Sequence, residues 1–213
     1  MIKVKVCGLT EKYNISQIAD TGPDLIGFIF YPESVRYVGH KPDISLFEVI
    51  PAYILKAGVF VNEDLPKIIE MVRCYGLDMV QLHGNESPEY CKSLKNSDIS
   101  IIKAFGVDQL FRFEPLAEYI DVCDYFLFDT NNANKGGSGN KFDWGKLDEY
   151  DLTKPFILGG GIGPEDCGLI KSLSHTSLFA VDINSRFEVS PGIKDPEKVK
   201  RFINDLKFAG NEI

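Results

Sequence analysis

Eight short runs of β-branched and aromatic residues recur along the chain at nearly even spacing, and this rhythm restricts the available folds more than any other feature. The runs are Ile2 to Val6, Leu25 to Phe30, Leu55 to Val61, Met79 to Leu82, Ile99 to Ala104, Tyr125 to Asp129, Phe156 to Gly159 and Leu178 to Asp182. Their starts lie 20 to 31 residues apart. That leaves room for one helix between each pair and matches alternating βα units around a parallel sheet. Helix signals fill several of the gaps. Leu65, Ile68, Ile69 and Val72 make a one-sided helical stripe that Gly76 stops, and Val199, Phe202, Ile203 and Leu206 repeat it after Asp195-Pro196, an N-cap followed by a first-turn proline. Ser87-Pro88 opens a fourth helix in the same way.

Residues 130–141 are too rich in Asn, Gly, Ser and Lys for a helix and are expected to form a long loop, a feature that in compact domains often carries function. With eight strands, no antiparallel hairpin signal and no dividing linker, the pattern predicts an α/β fold, a single (β/α)8 TIM barrel over residues 1–213. An open doubly wound sheet is the main rival. It calls for a dinucleotide fingerprint after its first strand, and Cys7-Gly-Leu-Thr10 is not one.

The chain is long enough for such a barrel, and its 44% apolar content is enough for a large core. Its 23 basic residues against 31 acidic ones give a net charge of -8, with no stripe of Lys and Arg, so nucleic acid is not expected as a partner. No run approaches the roughly 20 apolar residues that a membrane helix needs, and the N-terminus begins on a strand pattern. A cytoplasmic protein without a membrane partner is the expectation. Cysteines at 7, 74, 91, 123 and 167 show no CxxC spacing, which argues against both a disulfide framework and a zinc site. No metal is expected.

Two proton-transfer residues end predicted strands, where a barrel enzyme carries its acid and base. Cys7 closes the first strand and opens into Gly8 and Thr10; it is either a small core residue or a base, and a base role requires a thiolate supported by its surroundings. Asp129 closes Tyr125-Phe-Leu-Phe-Asp129. Apolar walls there would raise its carboxyl pKa and suit it to a general-acid role, whereas a loop carboxylate would be exposed and ionised. Gly159, Gly160 and Gly161 after the seventh strand, and Asn184, Ser185 and Arg186 after the eighth, occupy the two loops that commonly hold phosphate in barrels. Lys135-Gly-Gly-Ser-Gly-Asn-Lys141 has the wrong spacing for an ATP-binding loop. Arg36 offers a planar fork for a carboxylate or phosphate, and His83 in Gln81-Leu-His-Gly84 either helps at the mouth or satisfies loop backbone. These residues alone reach as far as a proton-transfer isomerase acting on a sugar phosphate.

The ordered set Lys5-Val-Cys-Gly-Leu-Thr10, Gly27-Phe-Ile-Phe30, Ser34-Val-Arg-Tyr-Val38, Gln81-Leu-His-Gly84, Asp129, Gly136-Gly-Ser-Gly139, Phe142-Asp-Trp144, Leu158-Gly-Gly-Gly-Ile162 and Pro191-Gly-Ile-Lys-Asp195 resembles the phosphoribosylanthranilate isomerase family over nearly the whole chain. The resemblance implies a cofactor-free Amadori rearrangement of N-(5'-phosphoribosyl)anthranilate to 1-(2-carboxyphenylamino)-1-deoxyribulose 5-phosphate in tryptophan biosynthesis. It places the acid on Asp129, the base on Cys7, the contact to the anthranilate carboxylate on Arg36, and sugar contacts on Asp182, with His83 beside them. The phosphate falls on the loops after strands seven and eight. Family members occur as monomers, dimers and fusions; this chain is expected to be an unfused monomer or homodimer.

Two positions depart from the family pattern. Arg186 stands where the family more often has glycine, and Val35 where it usually has proline before the arginine, which puts the hold on Arg36 in doubt. Other phosphate-binding barrels compete: an epimerase would need metal-binding His and Asp, and an indole-glycerol-phosphate synthase a lysine inside the barrel, with His40, His83 and Lys103 as the nearest candidates. A non-catalytic binding barrel is the alternative from outside enzymology.

Overall fold

Strand alternation sorts this chain into two apolar layers. In the computed structural model, which describes residues 1–131 and 141–208, one set of strand side chains fills the lumen of a barrel and the other faces the helices. The strands are β1 (Lys3–Cys7), β2 (Leu25–Ile29), β3 (Leu55–Phe60), β4 (Met79–Leu82), β5 (Ser100–Val107), β6 (Tyr125–Thr130), β7 (Phe156–Leu158) and β8 (Leu178–Ile183). Each pairs in parallel with the next, and β8 closes on β1 with Lys5 opposite Asp182. The lumen holds Leu25, Ala57, Met79, Ile102, Ala104, Leu127, Ile157 and Ala180. Val4, Ile26, Phe28, Phe126, Phe128 and Val181 point the other way, into the mantle. Phe28 is fully buried with its ring 4.4 Å from that of Phe47, so truncating it to alanine is expected to cost roughly 3–5 kcal/mol.

Among the described residues, six α-helices make up most of the mantle: α1 (Lys12–Ala19), α2 (Ser45–Glu48), α3 (Leu65–Tyr75), α4 (Pro88–Lys95), α5 (Cys167–Ser172) and α6 (Pro196–Phe208). The caps follow the residues that announced them. Gly76 ends α3 in the left-handed conformation at φ 57°, the Ser87 hydroxyl accepts from the Tyr90 N–H, and the Asp195 carboxylate accepts from the Glu197 and Lys198 N–H groups.

The sequence pattern misses two features. After β5 and β6 the connections are 3-10 turns at Glu114–Tyr119 and Trp144–Glu149, where the spacing had left room for helices. An antiparallel pair, β9 (Glu188–Ser190) and β10 (Ile193–Lys194), is also present, against the reading of no hairpin. Its strands are too short for period-two alternation to register, and Gly192 turns between them at φ 87°. The expected loop at 130–141, with its Gly136 to Gly139 run, falls largely outside the described residues.

Candidate active site

The C-terminal ends of the strands enclose a pocket lined by Cys7, Arg36, Gln81, His83, Asp129, Gly160, Gly161, Asp182, Asn184 and Ser185, among others. Val4 and Val6 face the mantle, so Lys5 and Cys7 face the lumen one above the other. Cys7 is 3% exposed and leans on β2, where a Cβ on Gly27 would stand 2.7 Å from its Sγ. Any larger residue at 27 would push the thiol out of the site. Burial pushes the Cys7 thiol above its ordinary range, opposed chiefly by the neighbouring Lys5 ammonium. Lys5, fully buried, donates to Asp182 Oδ2 at 2.9 Å; burial works against its charge, but Asp182 and then Cys7 outweigh it and hold the ammonium on.

Asp129 sits across the pocket in a different setting. Phe126 and Phe128 belong to the mantle, so the apolar walls expected around its carboxyl are on the far side of the sheet. A third of the side chain is exposed, Oδ1 accepts from the Thr130 N–H at 2.7 Å, and Oδ2 lies 3.5 Å from His83 Nε2. Gly160, at φ 82°, brings backbone close: a Cβ there would stand 3.1 Å from Asp129 Oδ1 and 2.4 Å from Thr130 Oγ1. The Gln81 amide nitrogen is 2.9 Å from His83 Nδ1; with that amide donating, the ring proton sits on Nε2 and points at Asp129. Gln81 Oε1 and Asp182 Oδ1 are buried acceptors without a partner among the described residues, and both residues line this pocket. Such acceptors suit a ligand rich in hydroxyl groups.

Arg36 is 7% exposed. Its turn closes without a proline at Val35: the Ser34 hydroxyl accepts from the Arg36 N–H, the Val38 N–H donates to the Ile29 carbonyl, and Val35 points into solvent. Gly160, Gly161, Asn184 and Ser185 line the pocket. Arg186 does not share that wall, because its Nη2 reaches Glu165 Oε1 at 2.6 Å on the surface. Lys103 lies on the mantle side of β5, capping the Leu82, Gly84 and Ala104 carbonyls and pairing with Glu86, so it offers no amine to the lumen.

Sequence reasoning overlooked Lys5, Gln81, Glu188 and Lys194. Lys5 and Gln81 each precede a chosen residue by two in a strand, and that spacing alone puts them on the same face. Glu188 and Lys194 lie on the short hairpin and carry no comparable signal.

No helix among the described residues is long and apolar enough to cross a membrane. The family model for N-(5'-phosphoribosyl)anthranilate (PRA) isomerase matches residues 4–205. The chain is 42% identical over 204 residues to the N-(5'-phosphoribosyl)anthranilate isomerase of Phocaeicola vulgatus, covering 96% of this chain and 97% of that one. To the Parabacteroides distasonis enzyme of the same name it is 43% identical, covering 95% and 92%. The crystal structure of phosphoribosyl anthranilate isomerase from Thermotoga maritima superposes with a TM-score of 0.87 at 35% identity, covering 97% of this chain and 99% of that one. A crystal structure of a phosphoribosyl anthranilate isomerase in complex with reduced 1-(o-carboxyphenylamino)-1-deoxyribulose 5-phosphate superposes at 0.84 with 33% identity and the same coverage. A closed eightfold barrel with a thiol and a carboxyl group facing each other across its mouth, matched along almost its full length, belongs to the phosphoribosylanthranilate isomerase family, and the chain is an isomerase of tryptophan biosynthesis.

Proposed function

We propose that Asp129 is the general acid and Cys7 the general base of the aldose-to-ketose rearrangement of N-(5'-phosphoribosyl)anthranilate. The observation that carries this reading is their opposition across one pocket: Cys7 at the end of β1, Asp129 at the end of β6, and beside them the loops after β7 and β8 with Gly160, Gly161, Asn184 and Ser185. Asp129 gives a proton to the furanose ring oxygen. The C1'–O bond breaks, and the lone pair of the anilino nitrogen forms the Schiff base. Cys7 takes the proton from C2', and that bonding pair forms the C1'=C2' bond and neutralises the nitrogen. The resulting enolamine tautomerises to the ketone.

The surroundings suit each step. A thiol raised by burial is a strong base once deprotonated, and Lys5 and Lys194 lie where their charges steady its thiolate. A solvent-accessible Asp129, with His83 at 3.5 Å, can regain its proton after each turnover. Asp182 Oδ1 and Gln81 Oε1 accept from sugar hydroxyls, and His83 flanks the reacting end. The loops with Gly159, Gly160 and Gly161 and with Asn184 and Ser185 take the phosphate through their N–H groups. Arg36 takes the anthranilate carboxylate. No cofactor enters the scheme, and the cytoplasm, where a free cysteine stays reduced, is the compartment that fits it.

The test generates the substrate in situ from anthranilate and phosphoribosyl pyrophosphate, then follows loss of its fluorescence with wild type and Cys7→Ala. Rapid loss with wild type and background loss with the variant is the expected result. A folded wild type that does not exceed background would sink the assignment.

A further inference from the structure

Arg36 is gripped from behind by a group that the chemistry above does not use. Its Nε and Nη2 donate to the two oxygens of Glu188 at 2.8 and 2.7 Å, a side-on bidentate pair in which both side chains are under a tenth exposed. Glu188 Oε1 also accepts from Lys194 Nζ at 2.6 Å and from the Gly192 N–H at 3.0 Å. Lys194 Nζ in turn donates to Asn184 Oδ1 at 2.6 Å, tying the cluster to the loop after β8. Burial works against the charge on Glu188, but Arg36 and Lys194 outweigh it and hold the carboxyl below its ordinary range.

A guanidinium has five N–H donors, and the side-on pair uses two. The remaining three, both on Nη1 and one on Nη2, form the end edge of the fork. They have no partner among the described residues, and Arg36 lines the pocket. That edge has the shape that accepts a second carboxylate in two parallel bonds. The charge count points the same way. Glu188 is the one carboxylate shared by Arg36 and Lys194, and Lys194 also faces Cys7, so the free edge of Arg36 meets no second anion among the described residues. An anion with carboxylate geometry, delivered from the pocket, completes it.

We infer that Glu188, backed by Lys194, is a specificity-determining positioning residue: it fixes Arg36 side-on so that its end edge receives the ring carboxylate of the substrate. Selection for an aromatic amine with an ortho carboxylate then resides in a hairpin outside the barrel proper. The inference rests on the reading of Arg36 as the carboxylate contact, and the experiment separates the two.

Steady-state kinetics are measured for Glu188→Gln, Arg36→Met and the double variant, with thermal melts to confirm folding. The amide of glutamine sets a donor against the guanidinium and breaks the two-bond grip. Glu188→Gln is expected to raise KM about tenfold with kcat within about twofold, the signature of lost binding without lost chemistry. Arg36→Met should raise KM at least as much, and the double variant should fall well short of the product of the two single effects, because Glu188 acts on the carboxylate through Arg36. An unchanged or lower KM for Glu188→Gln, or effects that multiply in the double variant, would overturn the inference. An unchanged KM for Arg36→Met would instead overturn the reading of Arg36. If Glu188→Gln does not fold, Glu188→Asp keeps the charge and shortens the reach. A KM equal to wild type in that variant would also overturn the inference.

Discussion

The two walls of the mouth are built in opposite ways. The wall from β1, the turn after β2, β8 and the β9–β10 hairpin holds two sets of short ion pairs near Cys7, Lys5 with Asp182 and Glu188 with both Arg36 and Lys194. The wall from β4 and β6 leaves His83 and Asp129 each about a third exposed, joined by one contact of 3.5 Å. The difference follows the work assigned to each side. A carbon-bound proton is removed best by a base shielded from water and held by fixed charges. An acid that must be reprotonated in every cycle does better near solvent. On the proposed roles, one wall should be sensitive to charge and the other tolerant of change around Asp129.

The largest effect expected is on the open wall, yet without loss of stability. Asp129→Asn removes the proton donor from a side chain whose main contact, to the Thr130 N–H, an amide oxygen reproduces. The expected fall in kcat is roughly 10²–10⁴-fold, with a melting temperature close to wild type. A variant that keeps a tenth of wild-type kcat would remove Asp129 from the acid role.

On the closed wall, activity and stability should fall together. Lys5→Met strips the cation beside Cys7 and leaves the Asp182 carboxylate without its partner, a loss of roughly 3–5 kcal/mol for a buried pair. Lys5→Met/Asp182→Asn removes both charges and should recover most of that stability in a denaturant melt. It should not recover kcat/KM, expected to be down roughly tenfold or more, since one lost opposite charge shifts a pKa by about 1–3 units. Full recovery of activity in the double variant would mean that Lys5 serves only the fold.

The pH profile sharpens the same contrast. Because the folded Cys7 thiol lies above its ordinary range, through burial that Lys5 only partly offsets, the basic form of the free enzyme is scarce at neutral pH and grows as pH rises. In wild type this gain is offset by the loss of the protonated Asp129 that the reaction also needs, so the rise is read in Asp129→Asn, whose residual kcat/KM is expected to climb through the neutral range and level only above the ordinary thiol pKa. In Lys5→Met/Asp129→Asn the plateau should move further up. An Asp129→Asn profile already flat from pH 7 would show that thiolate formation does not limit the reaction.

How much of this was legible beforehand follows the same division. Short β-branched and aromatic runs at even spacing announced all eight strands, because a parallel barrel strand buried on both faces must be short and apolar. Side-chain alternation along a strand places Lys5 below Cys7, yet a lysine in such a run reads as surface until the closed sheet puts it opposite Asp182. Asp129 shows the converse error. Its apolar neighbours are adjacent in sequence but point to the opposite side of the sheet, and apolar residues that do share its pocket, such as Val59, Val61 and Ile162, come from elsewhere in the chain. The grip on Arg36 was not readable at all, since 152 residues separate it from Glu188 and no local pattern links a turn after β2 to a hairpin after β8.

The smallest effect concerns Arg186, which replaces a family glycine beside the expected phosphate loop. The backbone does not demand glycine there, because Arg186 is not among the residues with positive φ. Its guanidinium pairs with Glu165 at 2.6 Å, the two side chains being 43% and 54% exposed, so the pair contributes at most about 1 kcal/mol. Losing that pair frees Glu165, whose charge can then repel the phosphate or swing fully to Lys141, 3.5 Å away. Arg186→Gly is thus expected to change KM by no more than about fivefold, the equivalent of such a pair, with kcat unaltered in the same fluorescence assay. An unchanged KM would show that Glu165 stays clear of the phosphate even without its partner, and would leave anion binding to Gly160, Gly161, Asn184 and Ser185. A fall in kcat as large as the rise in KM would mean instead that Arg186 steadies the loop in the reacting complex, and the closed wall would then extend beyond Glu188 to the surface.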